Sequence, residues 1–433
     1  WVQVSAQTNK RTRARMPPAS SPQCGKKSLR PAPLPFVVLL ALLAAPWNAS
    51  HLWIAPRLVS RFRLAELSGR RAQAEQAATL ESSGSVCRLR IRPEAVDGFH
   101  KDFYDSVKSD EEFLWNAMKS PKETEYIICK SYKRAVRWLP EDVLNALLHI
   151  WVDPSSPPSL WISGLPIDED LPETPRLPGD YRLPICESWL LGIGRILGVP
   201  YGMLGFYTSN ARGGLVRDLV PKPGLGGINN PKAHLSFHRD VPAAVSGSDD
   251  EPDGFLLLAA RGDPSHCAKT MVCSNRIIAE RLTRAELDAL RRSPIRTECV
   301  RGVDATGKEM TTPYGDPFFA VEGTKADPKV TLFYIPNQAF EHRFVSDDAE
   351  AEQAYHRAVE IAHEQCDMVD LQAGDLLVIN NARCNHGRTA FEPRLDGSDR
   401  WLLKTFIDAA GWRRPSQLGG EAKLNWPSVL LKP

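Results

Sequence analysis

Asp375-Leu376-Leu377-Val378-Ile379 is a short apolar run, and the loop that follows it, Asn380-Asn381-Ala382-Arg383-Cys384-Asn385, ends at His386. A run of that length bounded by turn-forming residues reads as a strand. Working outward, runs of the same kind occupy Gly214 to Val220, Gly254 to Ala260, Lys329 to Tyr334 and Trp401 to Phe406. Many short strands separated by turn signals predict a sandwich or barrel. Two helical stretches interrupt them. Thr283-Arg284-Ala285-Glu286 reads as a capping box opening a helix to about Arg292, and Asp348 to Gln365 has amphipathic periodicity. Upstream, helical stretches at Asp110 to Met118 and Pro140 to Trp151 are mixed with a strand at Ser159 to Ser163. The Pro-rich segment Asp153 to Pro184 reads as mostly extended or looped. The expected fold is α+β, a double-stranded β-helix (jelly-roll) core with flanking and inserted helices.

His238-Arg239-Asp240 places two metal donors at positions i and i+2, which share one face of a strand. The spacing suits a strand end. A jelly roll brings strand ends together, and His386 is the candidate third ligand. Two His and one carboxylate on one face leave open positions for a bidentate co-substrate and O2, the arrangement of non-haem Fe(II) oxygenases. Arg400, fourteen positions after His386 and at the start of the next expected strand, offers a planar guanidinium for a carboxylate. Without the metal donors, a salt bridge with Asp396 or Asp399 would be the preferred explanation. Two rivals stay open at this point: a zinc-dependent hydrolase using the same His/Asp/His site, and a non-catalytic jelly-roll binding protein.

The run Asn385-His386-Gly387-Arg388-Thr389-Ala390-Phe391-Glu392-Pro393-Arg394-Leu395-Asp396-Gly397-Ser398-Asp399-Arg400-Trp401-Leu402 resembles the distal-histidine signature of the clavaminate synthase-like Fe(II)/2-oxoglutarate oxygenases, relatives of taurine dioxygenase. The resemblance extends back through Gly374-Asp375-Leu376, through Leu257 to Asp263, and to Leu160-Trp161-Ile162-Ser163-Gly164-Leu165-Pro166 and Leu171-Pro172-Glu173-Thr174-Pro175. It implies that His238, Asp240 and His386 hold Fe(II), that Arg400 grips the far carboxylate of 2-oxoglutarate, and that the Thr270 hydroxyl assists. It also implies a reaction with O2 that releases succinate and CO2 and hydroxylates an unactivated C–H bond, with desaturation or ring closure within the same chemistry. A small polar substrate, an amino acid or derivative, is expected. Members acting on free amino acids often carry H-x-E where this chain has H-x-D; either carboxylate can ligate iron. Having Asp there argues against a halogenase. Arg239 stands where Thr is common and is expected to point to solvent. His234 is expected to be a satisfied polar residue, His342 and His363 to have no role, and Trp151, Trp161, Trp189 and Trp401 to belong to the core.

Composition bounds the rest. The chain has 433 residues, 42% hydrophobic and 24% charged, enough for a sizeable core. The balance of 54 basic against 52 acidic residues provides no field for gathering nucleic acid, so a small molecule is the expected partner. Nine cysteines without a C-x-x-C pair suggest reduced thiols rather than a disulfide framework or metal ribbon. Met16 reads as a start. Residues 16–50, with Lys26, Lys27 and Arg30 before the apolar run Leu34 to Trp47, have the order of a secretory signal. At roughly fourteen residues that run is too short to span a bilayer. The expected organisation is a targeting or disordered segment over 1–87 and one oxygenase domain over 88–433, with entry to the secretory route and possible passage onward to an organelle. Substrate-gripping residues are sought between Ser274 and Phe333 and around Val216 to His234, where Asp304 and Asp316 read as surface charges.

Overall fold

A strand whose residues are apolar without alternation needs cover on both faces. Three stretches of this chain meet that description: Gly254–Arg261, buried up to its last residue, and Leu376–Asn380 and Trp401–Asp408, buried throughout. They form the centre of the fold in a computed structural model that describes residues 78–409, apart from 93–97, 117, 119, 176–181, 202–214, 222–229, 241–250, 304–308, 314 and 334–340. All described residues belong to one compact unit, Gln73–Pro433. The signal-like segment and Asp304 lie outside them.

The described chain opens with a hairpin, β1 (Ala78–Ser82) and β2 (Val86–Ile91), and continues through helices α1 (Phe99–Lys108), α2 (Glu111–Trp115), α3 (Pro121–Trp138) and α4 (Glu141–Val152) to β3 (Ser159–Ser163). Helix α5 (Pro184–Leu197) precedes β4 (Val199–Tyr201), β5 (Arg217–Leu219), β6 (Leu235–His238), β7 (Gly254–Arg261) and β8 (Thr270–Ser274). Helices α6 (Asn275–Arg281) and α7 (Arg284–Arg292) lead to β9 (Arg296–Val303), β10 (Glu309–Pro313), β11 (Val321–Gly323), β12 (Pro328–Val330) and β13 (Glu341–Val345). Helix α8 (Ala349–Gln365) then gives way to β14 (Asp367–Val369), β15 (Leu376–Asn380), β16 (Cys384–Arg388) and β17 (Trp401–Asp408).

Strands β1-β2-β3-β15-β7-β17-β4 form a large sheet in that order, with β5 also on β17, and β14-β8-β16-β6 form a small one. One core cluster joins Val272 and Cys384 of the small sheet to apolar residues of β7, β15 and β17, so the small sheet packs on the large one. Helix α5 packs against the large sheet. It is apolar nearly all round and lies close against α3, so close that a Cβ on Gly192 would sit 2.4 Å from the Ser131 carbonyl oxygen. Trp189 of α5 stacks on Phe103 with ring centroids 3.7 Å apart. A second cluster gathers α6, α7 and α8 around Tyr355 and Phe318.

Secondary structure matches expectation at β3, β7, β15, β17, α4 and α8, and α7 begins at the expected capping box, formed by Thr283 and Glu286. Three differences stand out. Helices α3 and α5 were not expected. The run from Lys329 is a strand only to Val330. The folded unit also starts earlier than residue 88: β1 and β2 form a hairpin whose turn joins the two sheets. Ser85 Oγ accepts from the Ser274 N–H at 3.0 Å, and its carbonyl accepts from Ser159 Oγ at 2.6 Å. Asp367 accepts from Ser83 Oγ and from the Ser85 N–H.

Candidate active site

Strand β16 runs between β6 and β8, and His386 at its centre lies opposite His238 on one side and Val272 on the other. The residue after it has to be Gly, because a Cβ on Gly387 would sit 2.6 Å from the Leu235 carbonyl oxygen. His238 ends β6 and Asp240 follows two residues later, beyond the ladder. Ligand atoms of His238, Asp240 and His386 all lie within 4.8 Å of one another. His238 Nε2 is 3.9 Å from Asp240 Oδ1, and His386 Nε2 is 3.8 Å from Asp240 Oδ2.

The electrostatics suit a cation. His238 Nδ1 lies 2.9 Å from the Ser236 carbonyl oxygen, which fixes the proton on Nδ1 and leaves the Nε2 lone pair outward. Burial pushes both imidazoles below their ordinary range, His386 far below, so both are neutral. Burial alone would raise the Asp240 carboxyl. The Lys404 ammonium, by its charge and its hydrogen bond, outweighs it and holds the group below the usual carboxylate range. Lys404 reaches across from β17 to pair with Asp240 Oδ2. Its ammonium lies 4.1 Å from the Phe255 ring centre and 4.6 Å from that of Phe406, and Phe255 packs in turn on His386.

Arg400 stands one residue before β17, and its Nη2 donates to Thr270 Oγ1 at 3.1 Å. Burial lowers the guanidinium to about 10, and Nε has no partner among the described residues. The salt-bridge alternative is not what forms. Asp399 accepts instead from the Arg394 and Leu395 N–H groups, and Asp396 from Ser398. A buried cation with an unused donor could bind an anion. The Leu171 to Pro175 segment holds this loop in place: Thr174 Oγ1 donates to the Asp399 carbonyl, and Arg261 bonds Thr174 Oγ1 and the carbonyls of Pro172 and Gly397.

Several expectations need correction or placement. Arg239 does not point to solvent: it is 2% exposed, pairs with Glu251, and donates to the Asn381 carbonyl and to Thr331 Oγ1. Burial brings it down to about 10. Strand alternation explains the inversion, since placing His238 and Asp240 on one face sends Arg239 to the opposite face, here the interior. His234 lies beside His363, ring centroids 5.2 Å apart, away from the donor set. His342 falls in β13 rather than a loop. Trp189 and Trp401 are buried, with Trp151 and Trp161 packed at the core's edge. Asp316 is exposed, and residues 222–229 within the Val216 to His234 stretch lie outside the described residues. Lys404 was missed, although a lone Lys inside the apolar run Trp401-Leu402-Leu403-Lys404-Thr405-Phe406 is a readable signal. Asn381 carried no local signal.

Comparisons with known proteins agree with this geometry. The chain is 27% identical over 306 residues to L-asparagine oxygenase of Streptomyces coelicolor, covering 69% of this chain and 85% of that protein. It is 29% identical over 285 residues to clavaminate synthase 2 of Streptomyces clavuligerus, covering 62% and 79%. A crystal structure of asparagine oxygenase in complex with Fe(II), 2S,3S-3-hydroxyasparagine and succinate superposes with a TM-score of 0.57 at 22% identity, covering 74% of this chain and 93% of that one. Residues 188–406, just over half of the chain, match the taurine catabolism dioxygenase TauD, TfdA family. The chain therefore belongs to the TauD/TfdA family of dioxygenases.

Proposed function

We propose that this protein is an Fe(II)- and 2-oxoglutarate-dependent oxygenase that hydroxylates an unactivated C–H bond of a small polar substrate, an amino acid or derivative, releasing succinate and CO2. Arg400 carries this reading: a buried guanidinium with an unused Nε–H, bonded to Thr270 on the strand next to the one bearing His386. A zinc hydrolase has no use for that arginine, and a binding protein has no use for the donor set. Two neutral imidazoles and one carboxylate on one face suit Fe(II) and leave positions for a chelating keto acid and O2. The packing of the small sheet on the large one supports a double-stranded β-helix.

Bound iron, 2-oxoglutarate and O2 supply the oxidising power; the chain supplies position. His238, Asp240 and His386 would hold the metal, and Arg400 with Thr270 would hold the far carboxylate of the keto acid. Phe255 and Phe406 exclude water from the Lys404 side. The amino acid class rests on relatives such as asparagine oxygenase.

Anaerobic titration of Fe(II) and 2-oxoglutarate tests the proposal through the weak visible charge-transfer band of a chelated keto acid. Arg400→Ala should weaken 2-oxoglutarate binding by a factor of roughly 30 to 1000, the loss of about 2 to 4 kcal/mol expected for a charge-assisted pair in a buried site. A folded wild-type protein that shows no band would refute the assignment.

A further inference from the structure

Asp240 lies past the end of β6, where the ladder between β6 and β16 has stopped, so no neighbouring strand fixes its backbone. A single side chain does so instead. Asn381 Oδ1 accepts from the Asp240 N–H at 2.9 Å, and Asn381 Nδ2 donates to the Asp240 carbonyl at 3.0 Å. The same Nδ2 donates to the Pro252 carbonyl at 3.1 Å. A carboxamide carries one acceptor and two donors, and here it acts as the missing strand neighbour. Asn381 is itself fixed: it is fully buried, its N–H donates to the Asp253 carbonyl at 2.9 Å, and its carbonyl accepts from Arg239 Nε at 2.8 Å.

We infer that Asn381 is a positioning residue for the metal centre, holding the Asp240 carboxylate in register with His386 through a two-sided bond to the Asp240 backbone. The inference rests on the iron-site reading above. Asn381 sits in the turn that joins β15 to β16, and that turn also delivers His386. One residue thus ties together two chain segments, 238–240 and 381–386, that supply all three donors. Its effect on metal passes through Asp240, which separates it from a residue that merely supports the fold.

The test is a double-mutant cycle on the full chain, read as Co(II) affinity from the metal's visible absorption, without turnover. Asn381→Ala should weaken Co(II) binding roughly 10- to 100-fold, the range for residues that orient a ligand from behind. In an Asp240→Ala background the same change should have no further effect. Asn381→Ser, whose hydroxyl can keep one of the two bonds, should fall between wild type and Asn381→Ala, and it keeps the test alive if the alanine variant does not fold. Unchanged Co(II) affinity in a folded Asn381 variant overturns the role, as does an equal loss in both backgrounds. Wild-type protein that binds no Co(II) overturns the iron-site reading itself.

Discussion

Lys404 shows what a single buried charge contributes here. Its ammonium is 9% exposed and pairs with Asp240 in an apolar surround, and burial lowers its own proton affinity. Removing one member of such a pair leaves the other uncompensated, a change that costs about 3 to 5 kcal/mol. Lys404→Met should therefore destabilise the metal-free protein by roughly that amount, and Fe(II) should recover most of it by taking over the positive charge. Thermal unfolding with and without metal measures the gap, and an equal metal-induced shift in variant and wild type would show that Asp240 does not meet the ion. Asp375 titrates in the other direction. Burial raises its carboxyl from 3.8 to about 6, against a hydrogen bond from the Gln372 N–H. A raised folded value stabilises the fold at low pH, fully below 3.8, and that contribution is lost as pH rises through about 6. Asp375→Asn stays neutral, so between pH 4 and pH 7.5 it should gain on the order of 3 kcal/mol relative to wild type. Parallel pH–stability curves for the two proteins would refute the shift. At this scale residue type and period pointed to His238, Asp240, His386 and Arg400 in the sequence, while Thr270 entered only through the family resemblance. The bond between Arg239 and Asn381 spans 142 positions and the Lys404 bond to Asp240 spans 164, separations that no local pattern encodes, although Lys404 itself stands out as a lone Lys in an apolar run.

The capping box of α7 and the short apolar runs of β7, β15 and β17 were legible, while the helices α3 and α5 were not. In α7 the exposed Thr283 side chain accepts from the Glu286 N–H while the half-buried Glu286 reaches back to the Thr283 N–H. Thr283→Ala should lower stability by about 1 kcal/mol and leave turnover unchanged, since the cap contributes only to the helix. A change in the affinity for 2-oxoglutarate in this variant would mean that α7 couples to the site. Helix α5 escaped notice for a physical reason: Ile185 to Leu197 is buried on nearly every side, so no polar face marks its period. Helix α3 did announce itself, with Pro121 in its first turn and Ser120 accepting from the Glu123 N–H. A Ser cap followed by Pro in the first turn is a recognisable helix start.

For the molecule as a whole, the amino-terminal hairpin matters more than its composition suggests. Ser85 bonds to Ser274 of the small sheet and Ser159 of the large one, and β2 is the parallel neighbour of β3. A chain begun at residue 88 loses β1, the turn and the first two residues of β2. It should melt several degrees below a chain begun at residue 73, with lower soluble yield, as expected for losing a few kcal/mol of buried hydrogen bonds and pairing. Equal melting temperatures would show the hairpin to be dispensable. The Ala, Glu and Ser content of residues 72–84 pointed to a linker because an edge strand gains its order from a partner and not from its own sequence. Arg400, at the start of a large-sheet strand, bonds Thr270 on the small sheet, so the anion grip spans the gap between two packed layers. The pair is in effect a caliper on core thickness, and a substitution that swells or thins the core far from the iron should register as altered keto-acid affinity before it registers as unfolding.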